Sequence, residues 1–165
     1  MRNALAFAAA AVLACGCVTY GSSLVPGQAT AEDVQAAMGR PAVVREKPDG
    51  SRTLWYPKLP FGRESYAARL DPQGRLVAVE QRLAPQFIAQ VRPNQTTAEE
   101  VLDILGPPNE VYAYPRQQRE AWEYQLRTPP NHKILYVQIS PDRVVREVYE
   151  LMDPQYEGLF NFWMR

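Results

Sequence analysis

The pattern of apolar and polar positions changes character along the chain. Ala4 to Ala14 is an unbroken run of small and apolar residues behind Arg2. At about eleven residues it is too short to span a bilayer core of about 30 Å, and it suits the apolar segment of a secretion signal. From Pro26 onward, short stretches with helical spacing give way to strand-like runs. Turns such as Pro48-Asp49-Gly50, Asp71-Pro72-Gln73-Gly74 and Pro107-Pro108-Asn109 separate them. Beyond Leu151 the chain turns aromatic. Pro154-Gln155-Tyr156-Glu157-Gly158 interrupts the last strand-like run, and Leu159, Phe160, Phe162 and Trp163 follow.

The middle of the chain is duplicated. At an offset of 67, Pro26, Gln28, Thr30, Ala31, Glu32, Val34, Gly39 and Pro41 recur as Pro93, Gln95, Thr97, Ala98, Glu99, Val101, Gly106 and Pro108. The same offset carries Val44 onto Val111 and Trp55 onto Trp122, while Gly74-Arg75-Leu76-Val77 matches Asp142-Arg143-Val144-Val145 at 68. Two copies of one supersecondary unit are the economical reading. The shared offset predicts that Trp55 and Trp122 are equivalent core anchors.

Each copy predicts a short capped helix followed by strands. The hydroxyls of Thr30 and Thr97 can accept from free N–H groups of a first helical turn, and Asp33 and Glu100 stand where a capping box places its acid. Val34, Ala37 and Met38 share one face, as do Val101, Ile104 and Leu105; Gly39 and Gly106 then stop the helix in a left-handed cap. Strands are predicted over 53–56, 66–70 and 76–79 in the first copy, and over 122–126, 134–139 and 144–151 in the second. Gln86 to Val91, opened by Pro85, reads as an extra short helix. The expected fold is α+β: two tandem α-(α)-β-β-β units, each a three-stranded antiparallel meander with short helices on one face. The expected divisions are a signal peptide over 1–16, units over 17–84 and 85–152, and an aromatic tail over 153–165.

Composition and charge exclude more than they assign. Eighteen basic and eighteen acidic residues balance, and removing Arg2 leaves 17 against 18. That balance does not suggest nucleic acid or an anionic membrane surface as partner. The only histidine, His132, falls in the loop-like Pro129-Pro130-Asn131-His132. Ser65 has no flanking glycines to make a nucleophile elbow. With both cysteines at the signal junction, no Cys/His metal cluster is expected. Neither an enzyme, a cofactor nor a metal site is therefore expected.

The cysteines carry the first resemblance. The apolar run meets Cys15-Gly16-Cys17, which resembles the lipobox of bacterial lipoproteins, where small residues precede a cysteine that is acylated and becomes the new N-terminus. Gly16 before the cut and the longer apolar run favour Cys17; Val12-Leu13-Ala14 before Cys15 is the alternative register. A lipid anchor attaches a protein to a membrane without spanning it. The resemblance implies that Val18 after Cys17, or Gly16 after Cys15, in place of aspartate, permits sorting to the outer membrane.

The second resemblance rests on Asn94 to Pro108 followed by Trp122-Glu123-Tyr124, and on Gly27 to Pro41 followed by Trp55-Tyr56. A Thr-capped helix ended by Gly-x-Pro, then a strand near Trp and Tyr and a hairpin, resembles the BamE (SmpA/OmlA) family of outer-membrane lipoproteins. That family implies a periplasm-facing accessory subunit of the machinery that inserts β-barrel proteins. The chain departs from it in carrying two units. The tandem arrangement also resembles secreted β-lactamase inhibitor proteins, a likeness of fold that does not fix function. Together these imply a lipid-anchored, non-enzymatic outer-membrane protein that faces the periplasm and binds protein partners, those of barrel assembly among them. The alternative is an inhibitor-like module for a periplasmic enzyme. Leu159, Phe160, Phe162 and Trp163 are the candidate partner-binding residues, unless the tail folds back over a sheet edge.

Overall fold

A computed structural model describes residues 20–155, except 22 and 59–61. The chain is α+β, with two four-stranded antiparallel sheets and few helices. Helix α1 (Ala31–Met38) precedes β1 (Val43–Glu46), β2 (Arg52–Pro57), β3 (Ser65–Leu70) and β4 (Leu76–Gln81). Helices α2 (Pro85–Ile88) and α3 (Ala98–Ile104) precede β5 (Glu110–Tyr114), β6 (Arg119–Leu126), β7 (Lys133–Ile139) and β8 (Val145–Met152). Each sheet is a simple meander, β1-β2-β3-β4 and β5-β6-β7-β8.

The expected three-strand meander is thus corrected to four. The additional strands, β1 and β5, are edge strands with no buried residue. Their sequences lack the apolar alternation that marks a half-buried strand, so only pairing with β2 and β6 reveals them.

Both helices start as their caps dictate. The Thr30 hydroxyl accepts from Asp33 N at 3.3 Å, and Thr30 N donates to Asp33 Oδ2 at 2.8 Å. Thr97 and Glu100 repeat the pair at 3.3 and 2.7 Å. The stop of α1 differs from expectation. Gly39 lies at φ 85°, ψ −169°, a glycine-only extended region rather than a left-handed helical cap. Backbone bonds also stitch the segment before each helix to the last strand of its sheet. Leu76 N donates to Ala29 O at 2.8 Å, and Val145 N to Thr96 O at 2.9 Å.

The two cores are built alike. Val34 and Met38 pack on Leu54, Tyr56, Ala68, Leu70 and Leu76. Val101 and Leu105 pack on Trp122, Tyr124, Leu126, Leu135, Val137 and Ile139, with Phe87 and Ile88 of α2 at the margin. Tyr124 donates its buried hydroxyl to Gly106 O at 3.0 Å, which satisfies the one polar atom it brings inside.

Here the structure corrects the equivalence of the two tryptophans. Ala42 N donates to Trp55 O, and the matching bond runs from Asn109 N to Glu123 O. The counterpart of Trp55 is therefore Glu123, and that of Trp122 is Leu54. The hairpin between β5 and β6 holds one residue more than its counterpart, because Val43 pairs with Trp55 while Glu110 pairs with Glu123. A one-residue slip in a strand sends a side chain to the opposite face. At the last hairpin Gly74 and Arg143, both at positive φ, are equivalent, so the offset there is 69 rather than 68.

Trp55 accordingly leaves its own core. It is fully buried on the far face of the first sheet, where its ring lies against the backbone of Gly106, at the end of α3. A β-carbon at Gly106 would come within 2.4 Å of Trp55 Cε3. Arg45 donates from Nε to Asp103 Oδ1 at 2.7 Å and from Nη2 to Glu99 Oε2 at 3.0 Å. Arg82 donates to the Asp103 carbonyl at 3.1 Å, at the helix end whose dipole favours a cation. Two further ion pairs, Arg63–Asp153 and Arg127–Glu64, tie the halves together. Helix α3 is thus held between the two sheets, and the first sheet is covered on both faces.

Candidate protein-binding face

The far face of the first sheet is filled by α3, so the corresponding face of the second sheet is where a surface for something else can lie. It consists of Glu110, Tyr112 and Tyr114 on β5, Arg119, Ala121, Glu123 and Gln125 on β6, Ile134, Tyr136 and Gln138 on β7, and Glu147, Tyr149 and Leu151 on β8. Among the described residues no helix or strand covers it. Tyr112 and Tyr114 are each 42 % exposed, and Leu151 is 52 % exposed. Tyrosines in such a setting offer large, stiff rings with a polar tip, the composition that favours protein contacts.

The face is organised around Glu123. Its residue exposure is 6 %, yet among the described residues its carboxylate is held only by tyrosines: Tyr136 donates to Oε2 at 3.2 Å, and the Tyr112 hydroxyl is a second partner. Burial, and next the charge of Glu123, push Tyr136 up to about 12 and raise Tyr112 as well. The Tyr136 and Tyr149 rings lie 5.5 Å apart, and Gln138 donates to the Tyr149 hydroxyl at 3.2 Å. Arg119 bonds Gln138 Oε1 at 2.8 Å and Glu147 Oε1 at 2.6 Å. The result is an ordered, tyrosine-rich surface with a carboxylate in its floor.

A shallow cleft of about 300 Å³ adjoins it at the hairpin end, lined by Tyr114, Arg119, Glu120, Ser140 and Arg143 among others. Nothing there pairs a nucleophile with a base. His132 sits in the loop before β7, where its Nδ1 accepts from Thr128 N at 3.3 Å. Ser65 is buried at the start of β3. Among the described residues no group of His, Cys, Asp or Glu could hold a metal ion, and no helix is long and apolar enough to cross a membrane.

The residues singled out in the sequence lie elsewhere. Cys15 and Cys17, and the tail residues Leu159, Phe160, Phe162 and Trp163, fall outside the described residues. The tyrosine face escaped sequence reading because its residues come from four strands, and β5, which supplies two tyrosines, was not expected as a strand. The signal that could have found it is the alternation Tyr112-Ala113-Tyr114 beside Tyr136 and Tyr149.

Comparison with known proteins adds little. No family model matches the chain, and no curated protein does. One solved structure, a DUF4309 family protein (YjgB) from Bacillus subtilis subsp. subtilis str. 168, aligns over 82 % of this chain and 86 % of its own. The identity is 19 % and the TM-score 0.33.

Proposed function

We propose that this is a lipid-anchored, non-enzymatic lipoprotein of the outer membrane, facing the periplasm, that binds protein partners and serves β-barrel assembly or envelope integrity. The reading takes the chain as two tandem BamE-like units, each with one strand more than the sequence suggested. The observation that carries it is the tyrosine face, which no helix or strand among the described residues covers. The same face of the first sheet is a protein-docking surface inside this molecule, and a fold used twice supplies that surface a second time. The apolar run before Cys15-Gly16-Cys17 supports anchoring.

Two experiments test it. Cys17→Ser should release the protein from membranes or leave it uncut, while Cys15→Ser should remain lipidated; acyl chains found on Cys15 by mass spectrometry reverse that assignment. Deleting the gene should make the outer membrane leakier to bulky antibiotics. Unchanged permeability with unchanged barrel-protein levels overturns the assembly role. The tyrosine face equally suits the inhibitor-like reading, for which a stable complex with a soluble periplasmic enzyme is the deciding result.

A further inference from the structure

We infer that the outer face of the second sheet receives a basic segment of a protein partner, with an arginine or lysine side chain seated over Glu123 between Tyr112 and Tyr136. This rests on the reading above that the face is the binding surface, and adds the chemistry of what binds there.

The two sheets supply the comparison. In register, Val43, Trp55, Ala67 and Glu80 form one row across the first sheet, and Glu110, Glu123, Tyr136 and Tyr149 form the same row across the second. Around that row the first sheet carries Arg45, Arg69 and Arg82, and Lys47 at the position of Tyr114, with one acid, Glu80, which gives 4 − 1 = +3. Its occupant, α3, is correspondingly acidic and meets it with Glu99, Asp103 and a helix C-terminus. On the second sheet the positions of Arg45, Arg69 and Arg82 hold Tyr112, Gln138 and Leu151, and Val43, Trp55 and Ala78 become Glu110, Glu123 and Glu147. With Arg119 the face sums to 1 − 3 = −2. The face has kept its strand pairing and inverted its charge, so by the complementarity this molecule already uses, its occupant is basic.

Glu123 makes the inference specific. It replaces the tryptophan that plugs the first face onto α3. The residue is 6 % exposed, and among the described residues its carboxylate meets only neutral tyrosine hydroxyls, with no cation in ion-pair range. A carboxylate so placed lacks the partner that best offsets its desolvation. Tyrosine rings beside it attract a cation through their faces. The inverted charge also disfavours a second copy whose α1 stacks as α3 does, since the counterpart of Glu99 on α1 is another acid, Glu32.

The test uses the full lipidated protein in detergent micelles and two labelled peptides, Val-Arg-Val-Arg-Val-Arg and the same sequence with citrulline, the neutral isostere of arginine. The arginine peptide should bind at least ten-fold tighter. Glu123→Gln should abolish that preference while melting as the parent does, and Glu110→Gln, at the exposed rim, should reduce it two- to three-fold. Glu99→Gln, on α3, should leave it intact. Equal binding of the two peptides, or a preference that survives Glu123→Gln, overturns the inference. If both peptides bind equally and Tyr112→Ala removes both, the cationic partner is wrong and the binding face stands. Binding that emerges only after deletion of residues 154–165 makes the chain's own tail the occupant and overturns the inference. Self-association lost in Glu123→Gln makes the occupant a second copy and overturns it too. If neither peptide binds any form, the inference and the binding face fall together.

Discussion

At the scale of single residues, Trp55 and Glu123 show what a change of strand parity does. They occupy one position in the repeated fold, yet one closes an internal junction and the other lies in an open face. Because the Trp55 ring is fully buried against Gly106, Trp55→Ala should cost about 3–5 kcal/mol, comparable to Trp122→Ala in the second core. The two should differ in kind: Trp55→Ala loosens the junction, and Trp122→Ala the core beneath α3. Hydrogen exchange separates them, with protection lost on β2 and α3 in the first variant and on β6 and β7 in the second. Near-parental denaturant midpoints for Trp55→Ala would remove it from the junction. Gly106→Ala should also destabilise, through a positive φ and a β-carbon with no room beside the indole. The tyrosines give a second check by spectrophotometric titration. Tyr56 and Tyr136 should both titrate near 12. Glu123→Gln should move Tyr136 down, though not to its ordinary value because burial is the larger cause, and leave Tyr56 in place. Both groups are raised in the folded state, so their contribution is complete below about pH 10 and is lost as pH climbs toward about 12.

At the scale of elements, the two capped helices carry the fold's most local information. Thr30→Ala and Thr97→Ala should each cost about 1 kcal/mol, measured by chemical denaturation. Helices this short depend on packing for their existence, so the loss should appear as global instability rather than a frayed turn. Asp33 and Glu100 are held below the usual carboxylate range, first by the backbone N–H of their threonine and then by its hydroxyl. A lowered folded value means the capping contribution is present above the ordinary carboxylate range and lost as pH falls through the lowered value. The gap between parent and Thr→Ala variants should therefore narrow in acid by the share that the hydroxyl-to-carboxylate bond contributes, while the share from the hydroxyl accepting Asp33 N or Glu100 N persists. A gap independent of pH would show that the hydroxyl acts through the backbone N–H alone.

At the scale of the molecule, the described residues join the halves through the Trp55 indole and a set of arginines. Arg45→Ala should weaken the junction more than the loss of an exposed pair would, because it leaves Asp103 and Glu99 facing each other on α3 without their shared cation. Raised salt should lower the melting temperature of the parent more than that of Arg45→Ala, since only the parent has the Arg45 pairs to screen. Equal salt responses would remove the Arg45 pairs from the stability of the junction.

The local signals were legible without a structure. Threonine, acid and glycine at fixed spacings mark where each helix starts and stops, because capping is a matter of a few neighbouring residues. The duplication, the α+β class and six of the eight strands follow from residue pattern for the same reason. Register and the edge strands were not legible. One residue inserted in a hairpin leaves the alignment of Trp55 with Trp122 looking sound, yet reverses the face each side chain takes. Strands β1 and β5 bury nothing, so only hydrogen bonds to a neighbour define them. The tyrosine face was hidden for both reasons at once. Its residues converge from β5 to β8, and whether Glu123 or its neighbour joins them is a matter of parity that backbone pairing decides.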